Sequence, residues 1–323
     1  MKNETLTLGS LFDGSGGFPL AGILAGVTPI WASEVEPFPI RVTTRRLPTI
    51  KHYGDVSALN GAELERETAF DVRAAFGSRD DADHAYNTPR AWIMHRYLSP
   101  ESILRSGDPD RFRPESDRLP FMMKPDRKIT VEDVKYVLSD HYQGTPYDPY
   151  GRHGSDAMRG ALRPIGINRN NILALTQIRG DFPEAIRDVQ WIAMGSNVFN
   201  GLFPFYCNVS VIPAYFSATG AEVSTEAFYW ANRLIGAMAD AHFPTCASPV
   251  ERYQNRVHGQ AHAMLEESDA AYLKDWPEDP TQLLERANQA MSDMAKKETD
   301  DLLGKVLYQA SLGMKNAFAR SDA

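Results

Sequence analysis

The strongest constraint in this sequence is a cluster of glycines set between an apolar strand-like run and an apolar helix-like run. Residues 7–23 read TLGSLFDGSGGFPLAGI. TLTLGSLF is short, apolar and alternating, and DGSGG is a turn. Phe18, Leu20, Ile23 and Leu24 then recur at helical spacing, with Gly26 placed as a C-cap. TPIWASEVE reads as a second strand ending at Glu34, and PFPIRVTTRRLP as a short helix closed by Pro48. IKHYGDVSAL reads as a third strand reaching Asp55. The alternation βαβαβ requires crossover connections and hence a parallel sheet. At the first strand-to-helix turn of such a unit, glycine lets backbone approach a ligand, and the helix N-terminus offers free N–H groups. An acid ending the second strand, here Glu34, can accept hydrogen bonds from ribose hydroxyls. Asp55, at the end of the third, is placed to hold an adenine amino group.

Beyond about Glu65 the texture changes. Residues 79–83 read as a turn, and Pro89 opens a helix carrying Trp92 and Tyr97. DPDRFRPESDRLPFMMKPDRK is proline-rich and charged, the composition of a surface loop. ITVEDVKYVLSDHY has Thr130 as N-cap, with Glu132 and Asp133 in the first turn. Residues 172–178, residues 189–194 and PFYCNVSVI are strand-like. From Ser224 the pattern is helical in three stretches: STEAFYWANRLIGAMADAHF, then PVERYQNRVHGQAHAMLEES, then a long segment from TQLLERANQAM onward.

Composition narrows the function classes. The net charge is −8, which disfavours DNA as a partner, since phosphate contact needs clustered Lys and Arg. The two cysteines, Cys207 and Cys246, have no metal-ligand spacing, so no metal site is expected. The N-terminus lacks the apolar core of a signal peptide, and no run approaches the ~18 apolar residues of a membrane helix. The expected location is cytoplasmic.

SLFDGSGGFPLAGI, WASEVEPFPI and HYGDVSAL resemble the opening motifs of DNA cytosine-5 methyltransferases, over residues 1–65. The resemblance implies S-adenosylmethionine as cofactor. Phe12, Gly14, Gly16, Gly17 and Phe18 would surround its methionine and adenine, Glu34 would hold the ribose, and Asp55 would lie near the adenine. That family attacks the flipped cytosine with the cysteine of a Pro-Cys-Gln loop, helped by the Glu of Glu-Asn-Val. Neither motif occurs here: Cys207 lies in FYCNV and Cys246 in PTCAS. The competing reading makes the glycine loop a folding element only.

Residues 66–323 resemble a different family. FDVRAAFGSRDDADHAYNTPRAWIMHRYLSP, PESDRLPFMMKPDRKITVEDVKYVLSDHYQGTPYDPYG, RPIGINRNNILALTQIR, VQWIAMGSNVFNGLFPFY and VSTEAFYWANRLIGAMADAHF are similar to the bacterial dipeptidase A family, relatives of secernins. The resemblance implies a cysteine peptidase of the N-terminal-nucleophile class, with a four-layer αββα sandwich. Its thiol attacks the peptide carbonyl, its own α-amino group serves as base, and Asn, Arg and backbone N–H groups stabilise the oxyanion. That cysteine is expected upstream of Phe70, where the methyltransferase-like segment stands, and neither Cys207 nor Cys246 brings an adjacent free amine. Candidates for the substrate and oxyanion shell are Arg163, Asn168, Arg169, Asn170 and Asn171, with Ser196 and Asn197 after WIAMG. Against each stands the plain role of turn capping, which Asn performs constantly. His84 is expected as a loop histidine bonded to backbone, and Phe228, Tyr229 and Trp230 as core.

The fold expected from these readings is an α/β and α+β chimera. A partial Rossmann-like βαβαβ segment, residues 1–65, runs without linker composition into an incomplete αββα sandwich with C-terminal helices, residues 66–323. Three functions follow. The first is a dipeptidase-family hydrolase of small peptides, inactive for want of its nucleophile and needing no cofactor. The second is an S-adenosylmethionine-binding fragment, and the third a non-catalytic fusion or the product of a mispredicted gene. The expected partners are dipeptides or small peptides, with no membrane and an open oligomeric state. The dipeptidase body is expected to be destabilised, with the helices from Ser224 its best-ordered part.

Overall fold

The computed structural model describes residues 7–11, 14–59 and 79–314. Phe12 and the 65/66 junction lie outside the described residues. In chain order the first elements are β1 (Thr7–Leu11), α1 (Gly17–Leu24), β2 (Thr28–Ser33), α2 (Pro37–Arg46) and β3 (Lys51–His52). Next come α3 (Asp81–Tyr86), α4 (Thr88–Leu98), α5 (Pro100–Arg105) and α6 (Val131–Leu138). Then follow β4 (Ile172–Ile178), α7 (Glu184–Arg187), β5 (Asp188–Met194), β6 (Phe203–Tyr206) and α8 (Ala214–Ser217). Three helices close the chain: α9 (Phe228–Ala241), α10 (Phe243–Asp275) and α11 (Thr281–Leu312). The chain divides into two compact units. One takes in Met1–His84 and Leu98–Arg127, the other Ala85–Tyr97 and Lys128–Ala323.

The first unit holds the parallel sheet that the alternation requires, in the order β1-β2-β3. At the turn into α1, Gly14 and Gly16 have φ of +53° and +90°, which glycine adopts without steric cost. The register of β1 on β2 shifts between Leu8 and Gly9. A Cβ at Gly9 would lie 2.1 Å from the Trp31 ring, so the bulge and the missing side chain together admit the indole. The third strand is shorter than the sequence suggests. It spans two residues, and Asp55 opens a 3-10 turn by accepting the Ser57 N–H at 2.8 Å. Residues 79–83, read as a turn, instead lead into α3, where the Asp80 carboxylate accepts the Asp83 N–H at 2.8 Å. His84 is therefore helical, and its Nε2 meets the Asp117 carboxylate at 3.0 Å rather than backbone.

The second unit holds an antiparallel sheet, β4-β5-β6, with β5 in the middle. Val189, Trp191 and Ala193 alternate on β5 and are buried with Leu173, Ile186, Tyr206, Leu265 and Leu284. Ile192 and Met194 pack against a second cluster containing Phe203, Phe216, Phe228, Ile235, Val257 and Leu302. The long helices supply both clusters. On α10, Cys246, Val250, Tyr253, Val257, Ala261 and Leu265 recur at three- and four-residue steps and are buried, which is one face of a helix. On α11, Asn288 acts as a surrogate strand: its Oδ1 accepts the Tyr206 N–H at 2.9 Å, and its Nδ2 donates to the Tyr206 carbonyl at 3.1 Å. The second helical stretch begins earlier than Pro249. α10 starts at Phe243, and Pro249 sits inside it. The molecule is thus mixed α/β, with one parallel sheet, one antiparallel sheet and C-terminal helices. Among the described residues of the second unit there is one sheet, whereas an αββα sandwich needs two face to face.

Candidate functional site

The second unit contains a cavity of about 640 Å³ between α6, α10 and the segments 139–150 and 197–200. Local sequence chemistry builds its floor. Thr130 and Asp133 form a capping box: Thr130 Oγ1 accepts the Asp133 N–H at 3.2 Å, and Asp133 Oδ2 accepts the Thr130 N–H at 2.9 Å. The helix so anchored buries Val131 and, one turn on, Lys135. The Lys135 ammonium donates to Asn197 O (2.6 Å), Asn200 Oδ1 (2.6 Å) and Ser139 Oγ (2.9 Å). The Ser139 hydroxyl proton is spent on the Lys135 carbonyl at 2.7 Å, so its oxygen accepts from the lysine. Three acceptors call for three protons, the charged form of the amine. All three partners are neutral oxygens, and burial pulls the Lys135 pKa down to about 7.

His258, on α10, faces the same cavity. Its Nε2 is buried and has no hydrogen-bond partner. Burial first, then the Lys135 charge, lower its pKa to about 4, so the imidazole is neutral near pH 7. A third titratable group, His141, borders this cavity and also a neighbouring one of about 390 Å³. His141 Nδ1 meets the Asp148 carboxylate at 3.0 Å. Its ring lies edge-on to Tyr150 and Phe243, which stack on each other with centroids 3.9 Å apart. Next to it, Tyr142 has φ +66°, a strained conformation for a residue with a Cβ. Asp140 accepts the Tyr142 N–H at 2.7 Å, and the Tyr142 hydroxyl donates to Arg163 O at 3.0 Å. Burial raises the Asp140 pKa to about 6.

The residues singled out from sequence do not converge on one point. Arg163 and Asn168 line the 390 Å³ cavity with His141, Tyr150 and Asp240. Asn168 also borders a smaller cavity of about 140 Å³ with Ser196 and Arg233. Ser196 Oγ is buried without a partner. Asn197 belongs to the lysine network; its Nδ2 donates to Leu138 O at 3.2 Å. Asn170 does what a turn residue does, accepting the Ile167 N–H at 2.8 Å. Arg169 is exposed, and Asn171 accepts the Tyr229 hydroxyl at 3.3 Å. Of the aromatic trio only Phe228 is fully buried; Tyr229 and Trp230 are half-buried. Sequence reasoning missed Lys135 and His258. A helical lysine in VEDVKYVL reads as solvated, and the one available signal was its i+4 spacing from the inward-facing Val131.

Neither thiol is activated. Cys246 is buried, and burial raises its pKa; Cys207 is exposed at one end of the sheet, where desolvation and then the Asp188 charge raise its pKa. Among the described residues no cluster of His, Cys, Asp or Glu is placed to hold a metal ion, and no helix is long and apolar enough to cross a membrane. In the first unit, Glu34 Oε2 accepts the Gly14 N–H at 2.7 Å, and its Oε1 accepts the N–H groups of Val35 and Glu36 at 2.8 and 3.1 Å. These bonds hold the Glu34 carboxylate below its usual range, that from Glu36 contributing most. Gly17 begins α1, and Phe18 is exposed.

Comparison with known proteins places the chain in a family. The profile of Peptidase family C69 matches residues 48–256. The dipeptidase of Bifidobacterium longum (strain NCC 2705) is 41% identical over 297 residues, covering 80% of this chain and 56% of that protein. The probable dipeptidase A of Streptococcus pyogenes serotype M18 is 47% identical over 253 residues, 78% of this chain and 51% of that protein. The probable dipeptidase B of Lactococcus lactis subsp. lactis (strain IL1403) is 33% identical over 273 residues, 84% of this chain and 55% of that protein. The chain spans about half the length of the curated relatives it matches. With more than half of its length inside the profile, and the residues from Tyr97 to Asn255 around the large cavity all within the match, the chain belongs to peptidase family C69.

Proposed function

We propose that this chain is a dipeptide-handling hydrolase body, with short peptides as its ligands and its second unit as their binding frame. One observation carries the reading: the family match runs through nearly all the residues that line the large cavity. A cavity of about 640 Å³ lies within the usual range for small-molecule sites, ~300–1,000 Å³. Burial raises the pKa of both Cys207 and Cys246, which disfavours either thiol as its nucleophile. The test is release of free amino acids from a dipeptide panel, compared between the chain and a Cys207→Ala/Cys246→Ala variant, with peptide binding measured separately by calorimetry. Dipeptides should bind both proteins alike, and neither should release amino acids above background. Hydrolysis abolished in the cysteine-free variant would refute the assignment of the thiols. Absence of any dipeptide binding would refute the peptide reading.

A second reading, S-adenosylmethionine binding by the first unit, is favoured by the parallel β1-β2-β3 order with left-handed Gly14 and Gly16 at the first turn. The fit is partial. The Glu34 carboxylate already accepts three backbone N–H groups, and Asp55 is engaged by Ser57, so each tethers its own loop. In this reading Gly14 and Gly16 admit the cofactor, and a remaining lone pair of Glu34 accepts from the ribose. Calorimetric titration with S-adenosylmethionine tests it: weak binding, further weakened by Glu34→Ala, is expected, and equal binding by the variant would remove Glu34 from the ribose.

A further inference from the structure

Lys135 presents an unusual balance. Its ammonium is completely buried, carries a full set of three hydrogen bonds, and has no carboxylate among its partners. A buried charge without a counter-charge costs stability, and a protein interior ordinarily pairs it or removes it. Here the positive charge sits in the wall of a 640 Å³ cavity rather than in closed core. His258 lines the same cavity, close enough for the Lys135 charge to lower its pKa, and its Nε2 is buried with nothing to bond. Lys135 and His258 thus line one cavity with a cation that has no counter-charge, its three protons already spent on protein oxygens, and a buried imidazole nitrogen that has no partner. Both needs are met by one kind of ligand group, an anionic oxygen pair.

The remaining lining says what carries that group. Phe199, Phe243 and Val250 provide apolar wall, and Glu132 and Glu251 are also in the lining. His262 engages the Glu132 carboxylate, whereas Glu251 is exposed. A purely anionic ligand would be opposed by those carboxylates. A zwitterion with its carboxylate at Lys135 and its ammonium toward Glu251 would be favoured by both ends.

We propose that Lys135 and His258 form a carboxylate-recognition subsite, and that the cavity binds a short peptide through its C-terminal carboxylate. The proposal rests on the peptide-handling reading above and deepens it. The ligand carboxylate becomes the counter-charge that Lys135 lacks. His258 donates from Nε2 in its neutral tautomer, which leaves Nδ1 unprotonated. Because the ligand stabilises the ammonium form, binding above neutral pH takes up a proton from solvent.

The experiment is calorimetric titration of the full chain with three probes: alanyl-alanine, its C-terminal amide, and acetate. Each is run at pH 8 in two buffers of different ionisation enthalpy. The acid should bind at least about tenfold more tightly than the amide, the scale of losing a hydrogen bond to a charged group. Proton uptake should accompany the acid and not the amide. Lys135→Met should abolish the discrimination. Since that variant leaves buried oxygens without a donor, His258→Phe serves as the second: it removes an atom with no partner, and should weaken the acid several-fold while leaving the amide unchanged. Equal affinity for acid and amide in the native chain, or discrimination that survives both variants, would overturn the subsite. Acetate bound in a Lys135-dependent way with no dipeptide binding would keep the carboxylate pocket and overturn the peptide as its ligand. Hydrolysis is read separately: discrimination without release of amino acids is the expected result and supports the subsite, whereas failure of the peptide-handling reading shows as no binding of any dipeptide.

Discussion

Among the described residues there are two sheets of three strands, and they are buried very differently. The parallel sheet of the first unit relies on two short helices. Around it Phe18, Leu24 and Phe38 remain 65%, 81% and 66% exposed. The antiparallel sheet of the second unit is served by α9, α10 and α11, and its central Trp191 and neighbouring Phe203 are 1% and 0% exposed. Parallel sheets normally need helices on both faces, and a short βαβαβ segment offers too few. Strand count therefore says little about how a sheet is held. The apolar helical surface delivered to it decides, and in this chain the three long helices deliver it to the second unit.

Ionisation repeats the contrast. In the first unit the shifted groups are carboxylates, exposed at Asp55 and half-buried at Glu34, Asp108 and Asp126, and they are lowered by bonds from backbone, Arg118 or Ser102. Such groups lend stability above the unfolded carboxylate range and lose it as pH falls through their folded values. The second unit adds groups that burial shifts toward their uncharged forms, namely Lys135, Asp140 and His258. Lys135 and His258 line the cavity, so the better-packed half is also the half that stores electrostatic cost.

The largest expected effect separates the two regions by packing. Trp191→Ala or Phe228→Ala should cost about 3–5 kcal/mol, the scale for removing a buried aromatic. Phe18→Ala in α1 should stay within about 0.5 kcal/mol, as at an exposed site. Urea unfolding of the three variants checks this, and comparable losses would erase the contrast. A smaller effect comes from pH. Lys135 titrates near pH 7 when folded and near 10.5 when unfolded. Between those values the unfolded chain binds more protons, so stability should rise with pH at up to about 1.4 kcal/mol per unit. Below about pH 7 both states are charged and the full cost of burial is present. The charged or titratable groups around it are Glu132, Glu251, Asp148, His141, His258 and His262. Lys135→Met should flatten the stability difference between pH 7 and pH 9; an unchanged slope would assign it elsewhere. A further effect falls in the first unit. Gly9→Ala must displace the Trp31 ring and should cost about 1–3 kcal/mol by overpacking. A neutral result would mean that the β1–β2 bulge yields freely.

How far the sequence carried the reading depends on the range of the interactions. Local rules were legible. The glycine turn, the Thr130 N-cap and the bounds of β4 follow from neighbours in sequence, and the structure has each of them. Propensity was overridden where tertiary burial competed. Pro249 reads as a helix start, but Cys246, Val250 and Tyr253 share one buried face, and that packing carries α10 through the proline. The site was the least legible part. Arg163, Asn168 and Asn197 were picked by residue type, yet the fold sends the first two to one cavity and the third to the lysine network. Only its i+4 spacing from Val131 marks Lys135 locally, because its partners Asn197 and Asn200 lie more than 60 residues away.

The central claim is that the second unit is the peptide-handling body and that its cavity is where the ligand sits. Amide hydrogen exchange of the full chain, with and without saturating alanyl-alanine, tests it most directly. Slowed exchange is predicted in residues 131–143 and 250–258, with residues 14–34 unchanged. Protection of residues 14–34 by S-adenosylmethionine, together with no dipeptide-dependent protection anywhere in the second unit, would contradict it.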